Sequence, residues 1–296
     1  MEMNISQRIS NYVSDRIVYP ITKLLFFRKF RFKDTSATLE YILEKKCSVS
    51  RYGDGELDVI YGGSRGFQNY DGKLAIRLKE ILKSDLPGHI VCMPYSLKST
   101  RELRGYAHYF WKDYFEQHYR QLNQVLSPEK VYYDSLITRF YMDYKDKSKC
   151  AAILTLLKKI WEQRNVILVE GNRTCSGIGN DLYNNAKSLK RIICPAENAF
   201  DKYDEILKII KEKYAIGDLI LLSLGMTATV LAYDLAQAGF QAIDLGHIDI
   251  EYEWFLQKAD KKIALKNRYV NEVKGGNIVE ECNDPIYRSQ IIAKII

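Results

Sequence analysis

The 296-residue sequence predicts an α/β protein: a single Rossmann-like domain whose mostly parallel sheet is flanked by helices. Three observations lead there. Short β-rich runs alternate with helix-period segments along most of the chain. Several of those runs, such as Leu219-Ile220-Leu221-Leu222, are apolar on both faces, as strands buried in a parallel sheet must be. A composition of 47% hydrophobic and 27% charged residues is that of a globular chain, and no run is long and apolar enough to span a bilayer.

The first segment is unusually basic. Residues 1–33 hold seven Lys or Arg and two acids, a balance of +5 out of the chain's +7. They are read as a basic amphipathic extension (1–34) ahead of a domain over 35–296. Basic and apolar residues interleave here, which suits either peripheral contact with an anionic membrane surface or a helix packed on the domain with a solvated side. The start has no apolar export segment, and the six cysteines form no Cys-x-x-Cys pair. Cytoplasmic location is expected, peripheral at most to the inner face of the plasma membrane. Outside the extension the charges balance and do not cluster, so no nucleic-acid partner is expected.

The strands are expected at Cys47–Tyr52, His89–Met93, Val131–Asp134, Asn165–Glu170, Arg191–Cys194, Asp218–Leu224 and Phe240–Leu245. The helices are expected at Leu74–Leu82, Leu103–Gln117, Ala151–Arg164, Asp201–Tyr214 and Thr227–Ala238. The Tyr-rich region 95–150 is either an insertion over the site or a set of amphipathic helices with half-buried tyrosines.

Chemistry concentrates at four strand ends. Ser50-Arg51-Tyr52-Gly53-Asp54-Gly55-Glu56 sets two carboxylates around a glycine between a strand and a helix. That can aim hard oxygen ligands at a divalent cation, and it is also an ordinary turn before an acidic first helical turn. The loop Gly171-Asn172-Arg173-Thr174-Cys175-Ser176-Gly177-Ile178-Gly179-Asn180-Asp181 follows a buried strand and predicts a helix starting near Asn180 or Asp181. Free N–H groups there, with Arg173, would hold phosphate. The loop matches neither the dinucleotide fingerprint nor a Walker loop. Gly225-Met226-Thr227 is a second strand-to-helix turn, with Thr227 as cap. Capping alone explains both loops, but two of them with an acidic turn suggest a nucleoside diphosphate bridged by a metal. Finally, Gly246-His247-Ile248-Asp249-Ile250-Glu251-Tyr252-Glu253-Trp254 places an imidazole and three carboxylates after the last strand. If extended, His247, Asp249, Glu251 and Glu253 share a face; if helical, Asp249 and Glu253 are neighbours.

Taken in order, Ser50–Glu56, Val169–Leu182 and Leu224–Leu235 leading to Gly246–Trp254 resemble the bacterial GT-D-type glycosyltransferases over roughly residues 35–265. The resemblance implies a nucleoside-diphosphate sugar donor, a UDP-sugar such as UDP-glucose, a glycan acceptor that is lipid-linked or part of a surface polysaccharide or glycoprotein, and Mn²⁺ or Mg²⁺. It implies metal roles for Asp54, Glu56 and His247, with Arg51, Asp54, Arg173, Gly177, Gly179, Asn180, Gly225 and Thr227 around the donor. Glu253 is then the expected catalytic base, with Asp249 or Glu251 in reserve, and transfer with inversion is the expected course. Met226 stands where the family has proline. A metal-dependent nucleotide-sugar hydrolase and a non-catalytic nucleotide-binding scaffold are the alternatives, and self-association into a homo-oligomer is left open.

Overall fold

The computed structural model describes residues 19–266, 268–270, 272–276, 279 and 282–296. In chain order its elements are α1 (Tyr19–Lys29), β1 (Arg31–Phe32), α2 (Thr35–Lys45), β2 (Ser48–Arg51), α3 (Asp54–Ile60), α4 (Gly72–Lys83), β3 (His89–Met93), α5 (Gly105–Val125), β4 (Val131–Asp134), α6 (Cys150–Trp161), β5 (Asn165–Gly171), β6 (Ser188–Cys194), α7 (Tyr203–Lys213), β7 (Leu219–Ser223), α8 (Met226–Gln237), β8 (Gln241–Asp244), α9 (Ile248–Leu256), α10 (Pro285–Gln290) and β9 (Ile291–Lys294). The strands form one sheet in the order β1-β4-β3-β2-β8-β7-β5-β6-β9, and every neighbouring pair is parallel.

Side-chain alternation along the central strands divides the core into two layers. On one face Leu39 and Ile42 of α2, Leu157 and Trp161 of α6 and Trp254 of α9 pack on Val49, Val166, Leu168, Leu221 and Ile243. On the other, α4, α5, α7 and α8 cover Val91, Met93, Ile167, Val169, Ile220 and Leu222. Local chemistry starts the helices where the sheet needs them. Asp34 accepts the Ala37 N–H (3.0 Å) and Asp71 the Leu74 N–H (2.8 Å), capping α2 and α4.

The connectivity reverses in the middle of the sheet. β2 leads outward to β3, whereas β8 leads, through α9, toward β9 at the opposite edge. Likewise β5 leads to β6 while its neighbour β7 leads to β8. Where successive strands send their chains in opposite directions, a crevice opens at their carboxyl ends.

Two expectations change, and one alternative left open is decided. The described part of the 1–34 extension belongs to the domain. Phe26, Phe30 and Phe32 are buried, Phe26 meets Phe115 of α5 edge-on at 5.2 Å, and β1 pairs with β4. Residues 1–18 lie outside the described residues. No helix starts at Asn180 or Asp181; the chain turns there and enters β6 at Ser188. The segment after Gly246 is helical, not extended. Among the described residues no helix is long and apolar enough to cross a membrane.

Candidate active site

A cleft opens over the carboxyl ends of β5, β7 and β8, enclosing about 730 Å³ out to its mouth. Gly171, Ser223, Gly225, Gly246, His247 and Asp249 lie along it, with Phe67 and Tyr269 supplying ring faces. Gly225 has φ +51°, and a Cβ there would come within 2.9 Å of the Phe67 ring, so only glycine fits this turn. Gly225 is also the N-cap of α8, which corrects the expectation that Thr227 caps it; Thr227 lies in the first turn. The first backward amide bond of α8 runs from Ala228 N–H to Gly225 O (3.0 Å). The amides of Met226 and Thr227 thus open the helix without intrahelical partners. The hydroxyls of Ser223 and Thr227 have no hydrogen-bond partner among the described residues, although Thr227 is fully buried. Amides, helix dipole and two unpartnered hydroxyls at one strand end fit an anion such as a diphosphate.

The Asp-Gly-Glu turn adjoins this cleft. Gly55 packs on Met226, where a Cβ on the glycine would stand 3.1 Å from the thioether methyl carbon. Both carboxylates are committed locally, however. Asp54 pairs with Arg65 at 2.7 Å, and Arg65 also pairs with Asp58. Glu56 Oε2 accepts the Gly53 N–H at 2.7 Å, closing its own helix start. Burial pushes the Glu56 carboxyl up to about 7 against the pull of that amide, and Asp244 adds to the rise. His247 sits at the start of α9, its Nδ1 without a partner among the described residues. Burial, and then Arg139, holds it at about 4, as a neutral imidazole. Asp54, Glu56 and His247 therefore do not assemble as the expected metal ligands. Among the described residues no three His, Cys, Asp or Glu side chains are grouped to hold a metal ion.

Arg51 is likewise spent on the framework. Its Nη1 donates to Ser135 O (2.9 Å) and to Thr138 Oγ1, and its Nε lies 3.6 Å from Asp244 Oδ1. Gly246, at φ +51°, leaves the room its guanidinium needs, since a Cβ there would collide with it. Arg51 thus ties the end of β2 to β8 and to the turn after β4. Arg173 is exposed on the rim and lies 3.6 Å from Glu197.

The helical α9 puts its acids on two faces. On the cleft side, buried Asp249 accepts from Gly177 N–H (2.7 Å) and Asn180 Nδ2 (2.9 Å), and its other oxygen meets Arg268. Glu253, one turn on, shares both partners: Asn180 Nδ2 at 2.7 Å and Arg268 at 3.7 Å. Among the described residues its Oε2 keeps only a 3.5 Å contact with Gln257. Glu253 and Gly179 line an adjoining cleft of about 1,240 Å³. Glu251 faces the other way. It is fully buried and accepts the amides of Tyr141 (3.0 Å) and Met142 (2.9 Å), beside Arg139 at 3.7 Å. Burial raises its carboxyl, and it holds the loop after β4, away from both clefts.

The loop between β5 and β6 owes its shape to these bonds. Asn180 and Asp181 resemble helix caps, but Asn180 is spent on Asp249 and Glu253, and Asp181 on Lys158 (2.9 Å) and the Tyr252 hydroxyl. At the loop's root, Glu170 pairs with the buried Arg191 at 2.5 Å and accepts the Ser176 N–H at 2.9 Å.

Sequence reasoning missed Arg268, Arg65, Phe67 and Tyr269. Nothing local marks Arg268 or Tyr269. The loop Gly62-Gly63-Ser64-Arg65-Gly66-Phe67 did carry a signal: a glycine-punctuated segment with a cation and an aromatic ring, directly after the acidic turn. Its backbone is tied across the cleft by Asn198, whose N–H donates to Phe67 O at 2.9 Å.

The comparisons with known proteins agree with this architecture. The family model for the glycosyltransferase GT-D fold matches residues 49–273. The glycosyltransferase GlyD of Streptococcus pneumoniae serotype 4 (strain ATCC BAA-334 / TIGR4) is 40% identical over 268 residues, which are 89% of this chain and 32% of that protein. The probable glycosyl transferase Gly of Streptococcus gordonii is 38% identical over 259 residues, 87% of this chain and 38% of that protein. The chain thus spans about a third of the length of these two relatives. A solved structure of domain of unknown function 1792, described as having a distinct glycosyltransferase fold, superposes with a TM-score of 0.86 at 38% identity, over 92% of this chain and 98% of that one. With the family matched across most of the sheet and the whole of the first cleft, this chain belongs to the GT-D-fold glycosyltransferases.

Proposed function

We propose that this chain moves a sugar from a nucleoside-diphosphate donor, a UDP-sugar such as UDP-glucose, to a glycan acceptor in surface polysaccharide or glycoprotein biosynthesis. The observation that carries this reading is the switch-point cleft, where Gly225, the N-cap of α8, and the unpartnered Ser223 hydroxyl line one pocket, with the unpartnered Thr227 hydroxyl buried in the first turn behind them. The diphosphate lies on the Met226 and Thr227 amides, and the Phe67 and Tyr269 rings border the nucleoside. Arg173, next in sequence to the cleft-lining Thr174, is within reach of the donor once it leaves its exposed pair with Glu197.

Sugar transfer develops positive charge at the anomeric carbon and negative charge on the departing diphosphate. The α8 N-terminus is fixed in place before that charge develops, so it stabilises the leaving group without reorganising. Glu253 is the base. It borders the cleft through which an acceptor hydroxyl can approach, and its Oε2 has only the weak 3.5 Å contact with Gln257 among the described residues; the one comparable oxygen, Glu251 Oε1, is buried beside Arg139 and lines neither cleft. Asp249, with both oxygens engaged, and Glu251, turned away from both clefts toward the Tyr141 and Met142 amides, serve position rather than proton transfer. One base acting on one acceptor hydroxyl implies a single displacement with inversion. The basic, partly apolar α1, with Ile21, Leu24 and Leu25 exposed, is read as the contact with an anionic membrane that carries the acceptor.

A thermal-shift screen of UDP-, GDP- and dTDP-sugars, with and without Mn²⁺, tests the donor assignment. A shift with one nucleotide sugar, lost in Gly225→Val, supports it. No shift with any nucleotide sinks the donor assignment, a shift without any turnover favours the nucleotide-binding scaffold, and donor turnover indifferent to every glycan acceptor favours the hydrolase.

A further inference from the structure

The same sheet edge carries a second large cavity, over β3 and β4 and apart from the donor cleft. It holds about 550 Å³, within the roughly 300–1,000 Å³ of small-molecule pockets. Buried Asp134, at the end of β4, frames it. Its carboxylate accepts the Thr35 hydroxyl (2.6 Å) and the amides of Tyr95 and Leu136 (3.0 Å each). Three separate segments are thereby fixed around one space.

The lining is rich in hydroxyls and ring faces: Thr35, Tyr95, Ser96, Ser99 and Tyr144. Ser96 is 3% exposed, yet its Oγ has no partner among the described residues. A buried hydroxyl without a partner is costly unless something completes it. The charges nearby are compensated. Three cations, Arg101, Lys145 and Lys149, face four acids, Asp34, Glu102, Asp134 and Asp146, and Lys149 pairs with Glu102 at 3.2 Å. A phosphate-rich ligand would call for an excess of cations, which this lining lacks. Hydroxyls that both donate and accept, with tyrosine faces beside them, fit a neutral polyhydroxylated ligand.

We propose that this cavity is a second saccharide site, which anchors a distant unit of a polymeric acceptor while another unit lies beside Glu253. The acceptor's role rests on the transferase reading; the hydroxyl chemistry of the cavity does not. β4 and β5 are five positions apart in the sheet, about 24 Å at the usual strand spacing. No monosaccharide reaches from one site to the other, so the cavity matters only for long acceptors.

The test measures binding of maltotetraose, cellotetraose and chitotetraose, and of their monosaccharides, to the full chain without donor. Wild type, Ser99→Trp and Tyr144→Ala are compared, and the UDP-glucose thermal shift is recorded on each. Wild type should bind at least one tetrasaccharide tenfold or more tighter than its monosaccharide. Ser99→Trp, which fills the mouth from a half-exposed turn, should abolish that preference and leave the melting temperature and the nucleotide shift unchanged. Tyr144→Ala should weaken it. The proposal is overturned if wild type binds none of the three, or if Ser99→Trp binds as wild type does. Saccharide binding without any nucleotide shift would instead remove the transferase reading and leave the cavity assignment standing.

Discussion

The chain carries two acidic segments at strand ends, and the fold treats them in opposite ways. Asp54 and Glu56, after β2, are held by neighbours in sequence: Arg65 eleven residues on, and the Gly53 amide three residues back. Asp249 and Glu253, on α9, are held by partners from elsewhere: Gly177 and Asn180 some seventy residues earlier, and Arg268 in the next turn of chain. Asp54 is a third exposed, and its Arg65 bond resembles a surface ion pair worth about 0–1 kcal/mol, while burial leaves the Glu56 carboxyl held mainly by the Gly53 amide. The second includes a carboxylate and a guanidinium, each less than a tenth exposed. Locally held acids can rearrange cheaply when a ligand arrives; acids held by tertiary contacts are part of the scaffold. Substitutions at each segment sharpen or break that contrast.

The largest effect is expected at Asp249. Asp249→Ala strands Arg268 and two loop donors in a buried place, and breaking such a pair costs about 3–5 kcal/mol. Urea denaturation should show that loss as a lower midpoint with an unchanged slope. A loss below about 1 kcal/mol would mean that the loop and α9 are not locked together.

Glu253→Gln comes next, and it tests chemistry rather than stability. The amide can keep an oxygen toward Asn180 but cannot take a proton. Transfer should fall by about 10²–10⁴, with the nucleotide-sugar thermal shift retained. Turnover close to wild type would return the base role to another group.

Glu56→Gln should separate the segments by pH. A carboxyl raised from 4.5 to about 7 in the fold is protonated there while the unfolded chain has already lost its proton. The stabilisation from this group is therefore complete below about pH 4.5 and is lost as the pH rises through 7. Glutamine removes that dependence. The variant should match wild type near pH 4 and exceed it at pH 8, by no more than roughly 3 kcal/mol. Equal stability at both pH values would mean that Glu56 is not desolvated.

The same contrast explains what was legible in the sequence. Buried parallel strands advertise themselves, because a run such as Leu219–Leu222 has few other uses, and each predicted strand falls on one in the sheet. The two-residue β1 and the edge strand β9, half-buried in alternation, leave too little apolar pattern to see. α2 hides for a related reason: its core stripe is little more than Thr38, Leu39 and Ile42. At the site, the positions of the acids could be read but not their directions. The i, i+4 spacing already put Asp249 and Glu253 together. Only the tertiary fold could turn Glu251 toward the amides of Tyr141 and Met142, some 110 residues earlier in the chain. Asn180 and Asp181 misled for the same cause, since a cap residue and a tertiary hydrogen-bonding residue look alike in sequence.

The smallest expected effect is the most diagnostic for the acidic turn. Arg65 supplies the positive charge between Asp54 and Asp58, so a divalent cation drawn to Asp54 and Glu56 competes with it. Arg65→Ala should cost at most about 1 kcal/mol of stability, the upper range for an exposed pair. It should tighten Mn²⁺ binding by up to about fivefold, the same free energy expressed as an affinity ratio. Mn²⁺ titration followed by electron paramagnetic resonance reads that change directly, without donor or acceptor. If Mn²⁺ binds wild type and Arg65→Ala equally, and Asp54→Asn changes neither, the turn is a helix start stabilised by its own arginine and the cation lies elsewhere. If Arg65→Ala binds tighter and Asp54→Asn removes the gain, the arginine holds in reserve the Asp54 carboxylate that the fold has left cheap to release.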